Sequence, residues 1–242
     1  MYWIPSYNKD TYQDEQKDWI LKFIKYLNTS TQPNIWIDVG ANKGEISKII
    51  RQNTDQNDQI WLFEPSPDSY EFLCQTFKPF KNVKVWNCCL SNYTGTNDFF
   101  INKIDSMSGF NFLEKSIFSF NLDEYFTITS EVRTLDSFAV PTSYHIPLIK
   151  IDSEGQDFFI LQGSSRILND YRPYILFEFS GMLGSDTFNF TPTDMYSFFK
   201  KHRYTLKSIV GGYDERYIYS HYKVSNLGMF DLLAIPEEKP LD

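Results

Sequence analysis

At 242 residues the chain is long enough to bury a full core, and it reads as one large domain or a domain with insertions. Its 31 acidic and 23 basic side chains leave a formal net charge of -8, which excludes the basic footprint that a duplex nucleic-acid surface needs. Three cysteines, Cys74, Cys88 and Cys89, make neither a spaced disulfide framework nor a C-x-x-C zinc pair, and no stretch has the length and apolarity of a signal or membrane segment. These bounds predict a soluble, cytoplasmic protein with no nucleic-acid and no membrane partner. Aromatic residues make up 18% of the chain, enough to allow sugar or planar-substrate stacking beyond the needs of a core.

In chain order, residues 1–33 form an N-terminal arm and a helix. The helix, over 14–28, sets Trp19, Ile20, Phe23, Ile24 and Leu27 on one stripe and Lys17, Lys22 and Lys25 opposite. This is ordinary packing, with a position over a ligand mouth as the lesser reading. Next comes Ile35-Trp36-Ile37-Asp38-Val39, a strand apolar enough to be buried on both faces, followed by the turn Gly40-Ala41-Asn42-Lys43-Gly44 and a helix with Ile46, Ile49 and Ile50 at helical spacing. Glycines at such a junction let a ligand approach the main chain, and the helix start offers free N–H groups. Gly40-x-x-x-Gly44 is not the G-x-G-x-x-G of dinucleotide sites. Asp38 would repel a pyrophosphate and suits the ammonium of an amino-acid moiety, such as the one S-adenosylmethionine carries.

The second strand, 59–63, ends at Glu64, placed to accept hydrogen bonds from ribose hydroxyls or, more plainly, to cap the next helix. Ser66-Pro67 starts that helix, with Tyr70, Leu73, Cys74 and Phe77 on its inner face. Val83 to Leu90 reads as one buried third strand, and Leu90 and Ser91 at its end are the candidates for adenine contact. A turn at 92–96 leads to a short edge strand through Ile101. Residues 102–130 are irregular and rich in phenylalanine, and are read as a substrate-side insertion. Asp136 starts a helix or does nothing more. A fourth buried strand, 147–151, ends at Asp152-Ser153-Glu154-Gly155, where Lys150 is costly unless its ammonium finds a partner. A short helix follows, stopped by Gly163. A fifth strand, 174–179, carries Glu178 near its outgoing end. Thr191-Pro192 caps a further helix, strands follow at 204–210 and 227–235, and residues 236–242 are a charged, frayed tail.

Five strand–helix units closed by a strand pair match a known layout, and the chain resembles the FkbM-type S-adenosylmethionine-dependent methyltransferases. The resemblance rests on five collinear pieces: Asp38–Gly44, Phe63–Pro67, Val132–Asp136, Ile149–Gly155, and Arg172-Pro173 through Glu178. It implies the class I methyltransferase fold, an α/β Rossmann-like seven-stranded sheet over 34–235, mostly parallel with an antiparallel last strand and helices on both faces. It further implies S-adenosylmethionine held at Asp38, Gly40, Ala41, Asn42, Gly44 and Glu64, and O-methylation of a sugar or natural-product hydroxyl, so that the partner is a small-molecule or glycan acceptor.

An alcohol acceptor must lose its proton near the transition state, which calls for a general base or a metal. Asp152, Glu154, Glu178 and His145 are the candidate catalytic residues. Asp152 and Glu178, at the ends of neighbouring strands, could share a Mg2+ with acceptor oxygens. Capping the helix after Gly155 is an equal reading of Glu154. Two other readings stand beside this one: a catalytically silent binding module on the same fold, and an NAD-dependent oxidoreductase using the same ribose acid, against which Asp38 and the absent middle glycine argue. The oligomeric state is not legible.

Overall fold

The computed structural model describes residues 12–106, 111–113, 122–179, 190–211 and 230–241. Among the described residues, eleven strands fall into two sheets. The larger comprises β1 (Ile35–Val39), β2 (Gln59–Phe63), β3 (Val83–Trp86), β8 (Leu148–Ile151), β9 (Tyr174–Phe179), β10 (Tyr204–Ser208) and β11 (Phe230–Pro236), in the order β10-β11-β9-β8-β1-β2-β3. All pairs are parallel except those made by β11, which runs antiparallel between β9 and β10. This is the class I methyltransferase sheet, and its order reverses between β1 and β8, where open α/β sheets leave a crevice at the carboxyl ends of their strands.

Helices cover both faces. On one, α1 (Tyr12–Leu27) places Trp19, Ile20, Phe23 and Ile24 against Trp36, Tyr174, Leu176 and Leu233, joined by Ile50 of α2 (Glu45–Gln52) and by Leu73 and Phe77 of α3 (Pro67–Phe77). Fully burying one such large apolar side chain is worth about 1.5–3 kcal/mol, so α1 is anchored by its core stripe. On the other, α4 (Asp157–Gln162), α5 (Ser165–Tyr171) and α6 (Pro192–Lys201) cover Ile37, Val39, Ile149, Ile151, Ile175 and Phe177. Asp136, which lies 30 residues from α5 in sequence, caps it by accepting from the N–H groups of Arg166 and Ile167 at 2.7 and 2.9 Å. Thr191 and Asp194 close a capping box at the start of α6.

The third strand read over 83–90 is in fact two. β3 stops at Trp86, where the Asn87 side-chain amide donates to the carbonyls of Glu64 and Pro65, and the chain crosses to β4 (Cys89–Leu90) in the second sheet. That sheet has the order β4-β7-β5-β6, with β5 (Gly95–Asn102), β6 (Phe112–Leu113) and β7 (Tyr125–Arg133). The edge strand read through Ile101 is β5, and of the insertion read over 102–130 the two short stretches 112–113 and 125–130 are strand: β5 and β7 pair over eight residues, from Gly95 with Val132 to Asn102 with Tyr125. The tail is tied rather than frayed, since Glu238 pairs with Arg172 at 2.6 Å and the Lys239 ammonium reaches the Arg172 carbonyl at 2.8 Å. Among the described residues no helix is long and apolar enough to cross a membrane.

Candidate active site

Register aligns the acids. Val39 of β1 pairs with Phe63 of β2 and with Ile151 of β8, so the next residues, Glu64, Gly40 and Asp152, stand level at the outgoing edge. Ile151 pairs with Phe177, which brings Glu178 level with Asp152, and Asp231 of β11 pairs directly with Glu178. One row therefore crosses five strands: Glu64, Gly40, Asp152, Glu178 and Asp231.

A cleft opens above the Glu64, Gly40 and Asp152 part of this row. Gly40, Asn42 and Glu64 line one side and Asp152, Ser153, Glu154 and Gln156 the other. Cys88, Cys89, Leu90, Phe99, Leu113 and Ile160 supply an apolar wall, much of it from the second sheet. That sheet is held over the cleft by the Gln156 side chain, which donates to the Leu113 carbonyl at 3.2 Å, and by Ser66, whose hydroxyl donates to the Ser106 carbonyl at 2.9 Å. A mostly apolar concavity with a few convergent polar groups is the usual form of a small-molecule site.

Glu64 binds the glycine turn. Its carboxylate accepts from the N–H of Asn42 at 2.8 Å and from that of Ser66 at 2.9 Å. Burial pushes its pKa up to about 7, against the two N–H groups, which favour the ionised form. Asn42 and both glycines of the turn have positive φ, at 46°, 70° and 71°. The glycines serve internal packing as much as any ligand: a Cβ on Gly40 would lie 1.7 Å from the Asp152 carbonyl oxygen, and one on Gly44 2.7 Å from Leu73.

Lys150 and Asp38 form the layer beneath, paired across β8 and β1. The Lys150 ammonium lies 3.5 Å from Asp38, 3.3 Å from Asp152 and 3.4 Å from the Gly40 carbonyl. Burial would lower its pKa, and the Asp152 and Asp38 carboxylates more than reverse this and raise it. The Ser47 hydroxyl donates to the other Asp38 oxygen. Asp38, 1% exposed, is thus held within the protein and does not line the cleft, contrary to its expected contact with a ligand ammonium.

The acids on the β8–β9 side are served differently. Burial, then Asp152 and Asp157, pushes Glu154 up to about 8. Burial, then Asp152, pushes Asp157 up to about 7. Burial, then Asp152, Asp157 and Glu154, raises Glu178 well above the ordinary carboxylate range. The backbone N–H groups of Asp157 and Ser153 face the Asp157 carboxylate and favour its ionised form, though neither makes a close hydrogen bond, and Oε2 of Glu178 has no hydrogen-bond partner. The first turn of α4 offers Asp157 a favourable dipole without satisfying its oxygens. Glu154 does not cap that helix: α4 begins at Asp157, and Glu154, with φ of 51°, faces the cleft.

Of the residues singled out from the sequence, Gly40, Asn42, Glu64, Leu90, Asp152 and Glu154 line the cleft together. Ala41 and Gly44 turn into the α2–α3 packing, and Ser91 sits under Gly163, whose Cβ would lie 2.1 Å from the Ser91 carbonyl oxygen. His145 is exposed and bridges to Asn34 at the opposite, incoming edge of the sheet, which removes it from the chemistry. A Mg2+ between Asp152 and Glu178 is not supported: among the described residues no group of three or more His, Cys, Asp or Glu could hold a metal. His221 and the aromatic segment 213–223 lie outside the described residues, as do Phe110, Phe118 and Phe120. Gln156, Ile160, Cys88, Cys89, Phe99 and Leu113 were missed from the sequence. Gln156, the residue after Gly155, and Ile160, four positions further on α4, were within reach of a spacing argument, whereas the other four depend on where the second sheet packs.

The model of the methyltransferase FkbM domain matches residues 38–206. A search of curated proteins finds no match. Among solved structures, an FkbM methyltransferase from Methylobacillus flagellatus is 15% identical, with a TM-score of 0.49 over 84% of this chain, and this chain spans 43% of its length. A precorrin-6y C5,15-methyltransferase from Geobacter metallireducens is 14% identical, with a TM-score of 0.45 over 96% of this chain and 94% of its own. The N-methyltransferase NodS from Bradyrhizobium japonicum is 9% identical, with a TM-score of 0.45 over 96% of this chain and 100% of its own.

Proposed function

Because the chain belongs to the FkbM methyltransferase family, we propose that it catalyses S-adenosylmethionine-dependent methyl transfer to a hydroxyl group of a small molecule or glycan. The observation that carries this reading is the shared cleft, in which Glu64 and the glycine turn face Asp152 and Glu154. The residues fit an adenosyl group. Each Glu64 oxygen accepts one backbone N–H and keeps acceptor capacity for a ribose hydroxyl. Leu90, Phe99, Leu113 and Ile160 offer a bed for a flat, weakly polar base. When bound, S-adenosylmethionine supplies a sulfonium methyl, an electrophile that needs alignment more than activation.

What the chain's own groups do is orient and take a proton. Glu154 faces the cleft and serves as the base that accepts the acceptor hydroxyl proton. With its pKa raised to about 8, its basic form grows as pH rises through that value. Asp152, paired with Lys150, holds its place at the rim and orients the hydroxyl. The second sheet covers the apolar side and excludes water there. Free thiols at Cys88 and Cys89 fit a reducing, cytoplasmic setting.

The test is calorimetry with S-adenosylhomocysteine together with transfer of labelled methyl to a hydroxyl-compound panel. Glu64→Ala is expected to weaken S-adenosylhomocysteine binding by about tenfold or more. Glu154→Gln should keep that binding and lose turnover. Tight binding without turnover on any acceptor would favour a silent module, and binding of NAD in place of S-adenosylhomocysteine would overturn the proposal.

A further inference from the structure

The second sheet turns one face to the cleft, and the chemistry of that face is almost uniform. Phe99 of β5 pairs with Leu113 of β6, and both line the cleft. Side chains alternate along a strand, so Asn111, two residues before Leu113, falls on the same face. It too lines the cleft, where its companions from this side are Cys88, Cys89, Leu90, Phe99 and Leu113. An amide among apolar neighbours is costly unless its polar atoms are used. Its Nδ2 donates to the Ser106 carbonyl at 2.7 Å, and its Oδ1 accepts from the Asn102 N–H at 2.8 Å. One N–H and one lone pair are left over. The two bonds also fix which way round the amide stands, because turning it over would set Nδ2 against the Asn102 N–H and Oδ1 against the Ser106 carbonyl. That same carbonyl accepts from the Ser66 hydroxyl at 2.9 Å, and the Ser66 N–H donates to Glu64 at 2.9 Å. This chain of bonds ties Asn111 to the Glu64 side of the cleft, whereas Leu113 is what meets Gln156 on the opposite side.

We propose that Asn111 reads the edge of the cofactor's base and selects adenine, as a specificity-determining residue contributed by the second sheet. The inference rests on the transferase reading above and deepens it. The base is joined to the ribose that Glu64 receives, so a polar group anchored to Ser66 through Ser106 stands where the edge of the base arrives. Adenine sets its N6 amino donor beside a ring-nitrogen acceptor, N1 on one edge and N7 on the other. That pair is the complement of the lone pair and N–H that Asn111 has left, and an asparagine amide meets adenine in this way elsewhere in recognition. A 6-oxopurine puts a carbonyl where the amino group stood, so that an acceptor faces Oδ1. An amide free to turn over would adapt, and the clamp from Asn102 and Ser106 prevents it. The apolar wall grips the faces of any purine alike, and Asn111 distinguishes among them.

The experiment compares, by calorimetry on the full chain, the affinities for S-adenosylhomocysteine and for S-inosylhomocysteine, its counterpart with a 6-oxopurine base. The unaltered protein is expected to bind the adenine compound about tenfold more tightly or more. Asn111→Leu should bring the two affinities within about twofold of each other, by weakening the adenine compound and sparing the other. A merely structural Asn111 would instead weaken both ligands alike and keep their ratio, as Glu64→Ala, acting on the ribose common to both, is expected to do. A third ligand needs no variant: the analogue with hydrogen at position 6 of the purine keeps the ring nitrogens and lacks only the amino donor. It should bind the unaltered protein more weakly than the adenine compound and more tightly than the 6-oxo compound. Equal binding of the adenine and 6-oxo compounds, a preference that survives Asn111→Leu, an equal loss of both ligands in that variant, or an unsubstituted analogue as tight as adenine overturns the proposal and leaves the transferase reading standing. Failure of S-adenosylhomocysteine to bind at all sinks both.

Discussion

Asp58, at the incoming edge of the sheet, and Asp157, above the outgoing edge, are buried to nearly the same extent, at 2% and 4% exposure. Asp58 accepts from the Asn34 N–H at 2.8 Å, from the Asn34 side-chain amide at 3.3 Å and from the Trp36 indole N–H at 3.0 Å. Asp157 is faced by its own backbone N–H and that of Ser153 and makes no close hydrogen bond. The first aspartate ties β1 to the start of β2 and is fully used in folding. The second is a buried acid that the described chain serves only weakly, through two backbone N–H groups. Burial alone does not say how far folding uses an acid; satisfaction does.

The largest test of this contrast is Asp58→Ala. It strands the Asn34 and Trp36 donors and is expected to cost about 3 kcal/mol, read by denaturant unfolding. Asp157→Asn, equally buried, should cost nothing. If both substitutions destabilise alike, the contrast fails. Next is Lys150→Met, which leaves Asp38 and Asp152 without their cation. A loss of about 2–3 kcal/mol is expected, together with weaker S-adenosylhomocysteine binding as the Gly40 carbonyl loses its contact. Unchanged stability would mean that Lys150 does not hold the row.

The smallest effect is in pH. Glu64 and Asp157 are raised to about 7 and Glu154 to about 8, so the folded chain holds protons that the unfolded chain has released. Their contribution to stability is fully present below the unfolded value of about 4 and is lost as pH rises through 7 and 8. The unliganded protein should therefore melt lower at pH 8 than at pH 5.5. Asp157→Asn should flatten that slope and raise the midpoint at pH 8 by about 2–4 °C, a gain of about 1 kcal/mol. A midpoint that rises over this interval would contradict the buried, unpaired acids.

Several elements were legible because their signals are local. The apolar run before Gly40 makes a strand, Thr191-Pro192 opens a helix, and acids at strand ends stand out as Asp38, Glu64, Asp152 and Glu178. The cost of Lys150 in a strand also pointed to a partner, without saying which. The errors arose where pairing is distant. Val83 to Leu90 keeps an apolar character through Asn87, and only the Asn87 bonds to Glu64 and Pro65 show where the strand breaks. The β5–β7 pairing joins segments some 30 residues apart, and neither segment alone reveals it. His145 looked chemically useful and lies at the wrong edge, because an element's place in the chain does not say which end of the sheet it meets.

The sequence by itself determined the order of strands and helices, the glycine turn and which strands end in acids, since propensity and spacing act within a few residues. Only the tertiary structure decided what those acids do. Register between strands far apart in the chain set Glu64, Gly40, Asp152, Glu178 and Asp231 in one row, gave Lys150 to Asp38 and Asp152, and left Oε2 of Glu178 unserved. A carboxylate's charge, partner and reach depend on what the folded chain places within a few ångströms of it.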